Sequence, residues 1–282
     1  MIKTSSIERV RKVIKQQKVS SKTVGLVPTM GAFHEGHLSL IRKARKGCDF
    51  VVVSIFVNPM QFAPTEDYHL YPRDIKYDSE LAEENGADLV FIPKVEDIYQ
   101  EDFSTYVITE NITAGLEGVV RPNHFRGVAT IVAKLFNIVQ PDISYFGRKD
   151  AQQLVVIDKM VRELNIPVKV VGCPIIRDKN GIALSSRHKY LNKTQLKQAI
   201  GVYEGVKEGV KMIKSGISDF GQVSKRIKDV FYNFGIKRVD YVSFNRWDTL
   251  EPIRKPGSKI LLSVAVKIGK TRLIDNEILN FK

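Results

Sequence analysis

The sequence predicts an α/β chain: a parallel sheet with helices on both faces, followed by a smaller α+β C-terminal domain. Three observations predict it. Short apolar runs alternate with segments of helical spacing through most of the 282 residues. One run, Phe50 to Phe56, is apolar at nearly every position, as expected of a parallel strand buried on both faces. After about residue 185 the order changes to two polar helices and then strands. Repeated strand–helix–strand order argues a parallel sheet, and such a sheet takes ligands beyond the carboxyl ends of its strands.

The elements follow in order. Thr23 to Val27 reads as a strand. Leu38, Ile41, Ala44 and Cys48 place an apolar stripe on one face of the next helix. After the strand at 50–56, residues 74–85 read as a helix, and Asp88 to Ile92 return as a strand ended by Pro93. Phe125 to Val139 has helical spacing through Val128, Ile131, Val132, Leu135, Phe136 and Val139, and stops before Pro141. Ile143 to Phe146 is a short strand, Ala151 to Leu164 a helix, and Val168 to Val171 the strand that closes the alternation. Helices near 194–214 and 218–233 come next, then strands at Val239–Phe244, Ile260–Val266 and Thr271–Ile274. The join lies near Ser185-Ser186-Arg187, giving domains at 1–182 and 183–282. No internal repeat or low-complexity segment interrupts them.

Composition is that of a soluble globular protein, with 43% hydrophobic and 27% charged residues. No apolar stretch approaches the roughly 20 residues of a membrane span. Met1-Ile2-Lys3-Thr4 lacks a signal-peptide core, so a cytoplasmic location is expected. Cys48 and Cys173 lie far apart and read as small reduced apolar side chains. Charge is uneven: residues 1–176 carry 22 Lys+Arg against 21 Asp+Glu, whereas residues 177–282 carry 22 against 10. The basic residues of the second part are scattered, without interleaved aromatics. They favour an anionic ligand without choosing which one.

The segment Pro28-Thr29-Met30-Gly31-Ala32-Phe33-His34-Glu35-Gly36-His37 is the most informative in the chain. It joins a strand to a helix, and places two imidazoles where that helix begins. A helix N-terminus attracts phosphate through its N–H groups and dipole, and glycine lets the backbone approach. Imidazoles there can donate hydrogen bonds to oxygens whose charge grows during nucleotidyl displacement. This is the chemistry of adenylate formation. A zinc helix would need histidines one turn apart, at i and i+4, and no paired cysteine stands nearby, so no metal ligand is assigned. GxGxxG is missing. Gly269-Lys270-Thr271 resembles the end of a P-loop, but Val264 stands where that loop needs glycine.

Three further clusters accompany it. Gly147-Arg148-Lys149-Asp150 follows a strand and opens a helix, offering a cation for phosphate and a carboxylate for ribose hydroxyls. Alone, it reads better as a helix cap with solvated charges. Leu184-Ser185-Ser186-Arg187 supplies hydroxyl and guanidinium donors suited to a triphosphate. Asn58-Pro59-Met60-Gln61-Phe62 puts an uncharged amide at the carboxyl edge of the sheet, and Gln152-Gln153 adds another. His69 and His188 read as polar loop residues. His124, beside Arg121, either borders the site or caps the helix from Phe125.

Taken together, PTMGAFHEGH at 28–37, FVNPMQF at 56–62, YPRD at 71–74, RPNHFRGV at 121–128, YFGRKDAQQ at 145–153, ALSSR at 183–187 and GKTRLIDN at 269–276 resemble the pantoate–β-alanine ligase family, of the HIGH-motif nucleotidyltransferase superfamily. The resemblance implies a Rossmann-like fold with a C-terminal lid. It implies ATP-dependent condensation of pantoate with β-alanine through pantoyl adenylate, releasing pyrophosphate and AMP. Residue by residue, it implies that Met30, Gly31, Ala32, Phe33, His34, Glu35, Gly36 and His37 line the ATP site. His34 and His37 would contact phosphates, with His37 as proton donor. Gly147, Arg148, Lys149, Asp150, the backbone at Ile176, Leu184, Ser185, Ser186 and Arg187 would complete it, with Lys149 and Arg187 on the triphosphate. Gln61 and Gln153 would hold pantoate, and Gln61 would also meet β-alanine.

Mg2+ is expected to travel with ATP, held by phosphate oxygens and water. The resemblance further implies a homodimer, and neither nucleic acid nor membrane is expected as a partner. Departures from the family pattern are Phe33 where leucine is usual, Arg148 where glutamate is common and Asn123 where glycine is frequent. The rival readings are another HIGH-superfamily enzyme, such as a cytidylyltransferase or an aminoacyl-tRNA synthetase, and a nucleic-acid module built on the basic second part. The chain's length leaves no room for an anticodon domain, and LSSR replaces the KMSKS-type loop.

Overall fold

The strands of the first half pair side by side and in parallel, as their continuous apolar runs require. In the computed structural model, which describes residues 1–63, 66, 68–255, 257 and 259–281, these are β1 (Ile2–Thr4), β2 (Val24–Thr29), β3 (Phe50–Ile55), β4 (Leu89–Phe91), β5 (Ile143–Gly147) and β6 (Lys169–Cys173). Among the described residues they form one six-stranded sheet in the order β1-β4-β3-β2-β5-β6, all parallel. The chain steps outward from β2 through β3 to β4, then returns to the other side of β2 as β5. The carboxyl end of β2 is therefore the point where strand order reverses, the place where such sheets open a crevice.

The helices are α1 (Ile7–Val19), α2 (Glu35–Gly47), α3 (Ile75–Glu84), the single turns α4 (Val95–Ile98) and α5 (Glu117–Val120), α6 (His124–Val139) and α7 (Ala151–Glu163). α2 packs on β2, β3 and β5 and against α3, while α1 packs on β2 and against α6. Val27, Val51, Val53, Val90, Tyr145 and Cys173 share one apolar layer with Leu40, Ile41 and Ala44 of α2. Strand alternation sends Leu26, Val52, Leu89 and Phe91 to the opposite face, where all four are fully buried. Every residue of β3 is buried, which is why that run carries no polar alternation.

β1 and α1 have no counterpart in the sequence reading. β1 is three residues long, too short for a periodic signal. α1 buries only Val10 and Ile14, one turn apart, and Ser6 caps it by accepting the Arg9 N–H at 3.2 Å. Elsewhere in the first 174 residues the ends of the expected strands shift by a residue or two. α3 begins after Asp74, whose carboxylate accepts the Tyr77 N–H, and α6 begins at His124.

Two units divide the chain: Met1–Arg148 with Val156–Pro174, and Lys149–Val155 with Ile175–Lys282. The second contains α8 (Lys193–Lys214), α9 (Phe220–Asn233) and the antiparallel sheet β7 (Arg238–Arg246), β8 (Lys259–Ile268) and β9 (Thr271–Asn280). α8 lies against α9, β8 and β9. Val206, Val223, Ile227, Phe231, Leu262 and Val264 form its core. β9 runs six residues beyond the expected end at Ile274, because its polar residues Asp275 and Asn276 lie buried in the strand. Among the described residues no helix is long and apolar enough to cross a membrane.

Candidate active site

β2 ends at Thr29, and the next residues leave the sheet through an unusual turn. Gly31 and Ala32 both take left-handed backbone conformations, with φ of 82° and 53°. For alanine that costs of order 1–2 kcal/mol, so something must hold it. The holder is Asp78, 2% exposed on the inner face of α3. Its carboxylate accepts the Ala32 and Phe33 N–H groups, each at 2.8 Å. A Cβ at residue 31 would stand 2.8 Å from the same carboxylate, so the turn needs glycine there. Burial pushes the Asp78 carboxyl above its ordinary value, and the two backbone hydrogen bonds act against that shift.

The turn delivers His34 to the N-cap of α2. Its Nδ1 accepts the Gly36 N–H at 3.1 Å, and its carbonyl accepts the His37 N–H at 2.8 Å. His37 Nδ1 in turn accepts the His34 N–H at 3.4 Å. The two rings lie 4.1 Å apart, and Phe33 lies 5.4 Å from His37. Both Nδ1 atoms accept, so each neutral imidazole carries its proton on Nε2 and acts there as a donor. The sequence reading expected Gly36 to open the helix start to phosphate. In the structure a Cβ at 36 would meet the His34 ring at 2.7 Å, so the glycine also makes room for the capping imidazole. The helix start therefore presents imidazoles in place of two of its N–H groups.

A second group lies at the carboxyl end of β3. Asn58, 1% exposed, accepts the Tyr99 hydroxyl at 2.8 Å and donates to the Gly127 carbonyl at 3.1 Å and to Gln61 Oε1 at 3.2 Å. Gln61 Nε2 donates to Met30 Sδ at 2.9 Å. The structure thus brings Gln61 to the Met30–His37 turn. Arg121 pairs with Glu66 at 2.6 and 3.1 Å and lies 3.2 Å from His124 Nε2. Arginine can only donate, so His124 donates from Nδ1 to the Gln61 carbonyl at 2.8 Å. His124 is a buried brace for this turn as well as the first residue of α6. Gly147 ends β5, which pairs with β2 and finishes at the same edge of the sheet, and Arg148 opens the turn that follows.

The remaining expected residues lie in the second unit: Lys149, Asp150, Gln152, Gln153, Ile176 and Leu184 to Arg187. The Lys149 carbonyl accepts from Asn276 at 2.8 Å. The Ile176 carbonyl accepts the Leu184 N–H at 2.9 Å, folding 176–184 back on itself. Ser185 Oγ accepts the Arg187 N–H at 3.2 Å and starts the turn Ser186–Tyr190. His188 in that turn is held below its ordinary value by burial and by Lys149.

The family model described as pantoate-beta-alanine ligase matches residues 3–278. The chain belongs to the pantoate-beta-alanine ligase family. It is 50% identical to a pantothenate synthetase of Thermoanaerobacter pseudethanolicus over 276 residues, 98% of either chain. A pantothenate synthetase of Caldicellulosiruptor bescii is 45% identical over the full length of both. The crystal structure of a pantothenate synthetase from Thermus thermophilus superposes with a TM-score of 0.93 at 42% identity, covering 98% of this chain and 99% of that one. A pantoate-beta-alanine ligase of Francisella tularensis, solved with beta-gamma ATP and beta-alanine, gives 0.80 at 34% identity, covering 99% and 97%. The chain is accordingly a ligase, with the α/β fold of these pantoate-beta-alanine ligases.

The structure shows the local setting of two of the departures, and nothing in it explains Arg148. Asn123 has φ of 67°, a left-handed position that asparagine tolerates where glycine is frequent. Phe33 lies beside the His37 ring in place of the usual leucine. The sequence reading missed Asp78, Tyr99 and the roles of Asp275 and Asn276. Asp78 carried a signal: with Ala82 it forms the inward i, i+4 pair of α3, where an aspartate is out of place unless paired.

Proposed function

We propose that the chain condenses pantoate with β-alanine through pantoyl adenylate, and the two Nε2–H imidazoles at the start of α2 carry this reading. A pantoate carboxylate oxygen attacks the α-phosphorus of ATP; the new O–P bond forms as the bond to the bridging oxygen breaks, and pyrophosphate leaves. The β-alanine amine then attacks the acyl carbon, loses a proton, and AMP departs with its oxygen. Both steps build charge on phosphate oxygens. Donors held in place by the backbone need no reorganisation to meet it.

In this reading Met30 to His37 line the nucleotide, and His37 supplies the donor at the displaced phosphate. Gly147 to Asp150, the backbone at Ile176 and Leu184 to Arg187 complete the nucleotide set, with Lys149 and Arg187 as its cations. Gln61 and Gln153 hold pantoate. Gln61 suits that task because its Nε2 donates to a thioether, a weak acceptor that a hydroxyl or carboxylate readily outcompetes. Mg2+ would come bound to ATP, held by phosphate oxygens and water, and would supply charge to offset that of the phosphates. Among the described residues no three His, Cys, Asp or Glu side chains gather in one place. Residues 183–282 act as the lid, and the reading carries with it a cytoplasmic homodimer.

The test is AMP release from ATP and Mg2+ with pantoate, with and without β-alanine. Sustained release that needs both acid and amine supports the proposal. Release independent of pantoate, or requiring tRNA and an unrelated amino acid, overturns it.

A further inference from the structure

β9 carries two adjacent polar residues, Asp275 and Asn276, each only 3% exposed. Neighbouring residues in a strand point to opposite faces, so the pair reaches two different places. Asn276 Nδ2 donates to the Lys149 carbonyl at 2.8 Å. Asp275 binds Arg177 through both oxygens, at 2.6 and 3.0 Å, and accepts the Asn276 N–H at 2.8 Å. Arg177 also donates to the Gly181 carbonyl at 3.0 Å and lies 4.5 Å over the Tyr203 ring. Arg177 and Ala183 pair as an isolated bridge, and Leu184 donates to Ile176. One dipeptide thus ties down the main chain at Lys149 and the folded-back segment that leads directly into Leu184–Arg187.

Stability alone does not call for this arrangement. A buried ion pair can often be replaced by apolar side chains at no loss, because desolvation offsets its attraction. What apolar residues cannot supply is a directional hold on a carbonyl and on a returning loop. The two segments held carry Lys149 and Arg187, the cations assigned to the triphosphate.

We propose that Asp275 and Asn276 are positioning residues that set Lys149 and the Leu184–Arg187 segment for the nucleotide, an inference that rests on the ATP site described under Proposed function. Asn276 acts through Lys149, and Asp275 acts through Arg177. Neither touches the substrate.

The test is a double-mutant cycle on ATP affinity, measured by calorimetry on the full chain: wild type, Asn276→Ala, Lys149→Ala and the double variant. Asn276→Ala is expected to weaken ATP binding about tenfold to a hundredfold, the scale on which small misplacements act. In the Lys149→Ala background the same change should cost less than about threefold, since residues acting through one another are not additive. Asn276→Ser, a smaller perturbation of the strand, is read in the same way should Asn276→Ala fold poorly by circular dichroism. Asp275→Asn should weaken ATP binding by a similar factor in either Lys149 background. Equal costs of Asn276→Ala in both backgrounds, or a lowered melting temperature with unchanged ATP affinity, overturns the proposal. A wild type that binds ATP yet gives no pantoate-dependent AMP overturns the reaction assigned above, and the cycle is then still decided on binding.

Discussion

His34 and His37 carry their ring protons on Nε2 because the backbone claims each Nδ1. This makes them neutral donors with a fixed tautomer, and His37 is assigned the larger share. Removing one such donor typically costs about 10²–10³ in rate. His37→Ala should therefore slow pantoyl adenylate formation by about that factor while ATP affinity falls far less. Single-turnover kinetics of each half-reaction measures this, and the second half, started from supplied pantoyl adenylate, should suffer less because no pyrophosphate departs. Gln61→Ala should raise the KM for pantoate about tenfold or more and leave ATP affinity nearly intact, given a hydrogen bond to a charged partner. An effect confined to ATP would place pantoate elsewhere. The histidines and Gln61 were legible in the sequence because their residue types are chemically scarce and their spacing is specific. Asp78 was not, since a lone aspartate in a helical pattern looks like solvated surface until burial is known.

At the scale of elements, α6 and the Asn58–Gln61 turn form one braced unit. A Cβ at Gly127 would stand 2.3 Å from the Met60 carbonyl oxygen, a backbone atom that cannot swing away. Gly127→Ala should therefore push α6 off the turn, destabilising the fold by about 1–3 kcal/mol as overpacking does. Chemical denaturation reads the loss, and pantoate use should weaken with it. The Arg121–Glu66 pair braces the same turn. Burial alone would raise the Glu66 carboxyl, but the Arg121 and Ala63 hydrogen bonds outweigh it and hold it below its ordinary 4.5. A lowered carboxyl contributes stability above its unfolded value and loses it as pH falls through the folded one. Arg121→Gln should accordingly lower the melting temperature at pH 7, and the gap from wild type should close as pH falls below the ordinary carboxyl range and through the lowered folded value. The long, apolar elements were legible from periodicity, β3 and α6 above all. β1, α1 and the end of β9 were not, for opposite reasons: the first two bury too little, and β9 buries polar groups whose partners lie more than ninety residues away.

At the scale of the molecule, the excess positive charge of residues 177–282 favours an anionic ligand without choosing which one. The family was legible because seven short segments recur in order, and no composition or charge argument would have reached it. How the residues are held was not legible, since each brace (Asp78, Asn58, Asn276) joins segments distant in sequence. The central claim is that the pantoate carboxylate is activated by bonding to the α-phosphorus of ATP. Pantoate labelled with oxygen-18 in both carboxylate oxygens tests it most directly, with β-alanine, ATP and Mg2+ present and the products read by mass spectrometry. Activation through the adenylate predicts one labelled oxygen in AMP and one retained in the amide carbonyl. Unlabelled AMP, or label in inorganic phosphate with ADP as the nucleotide product, would contradict it.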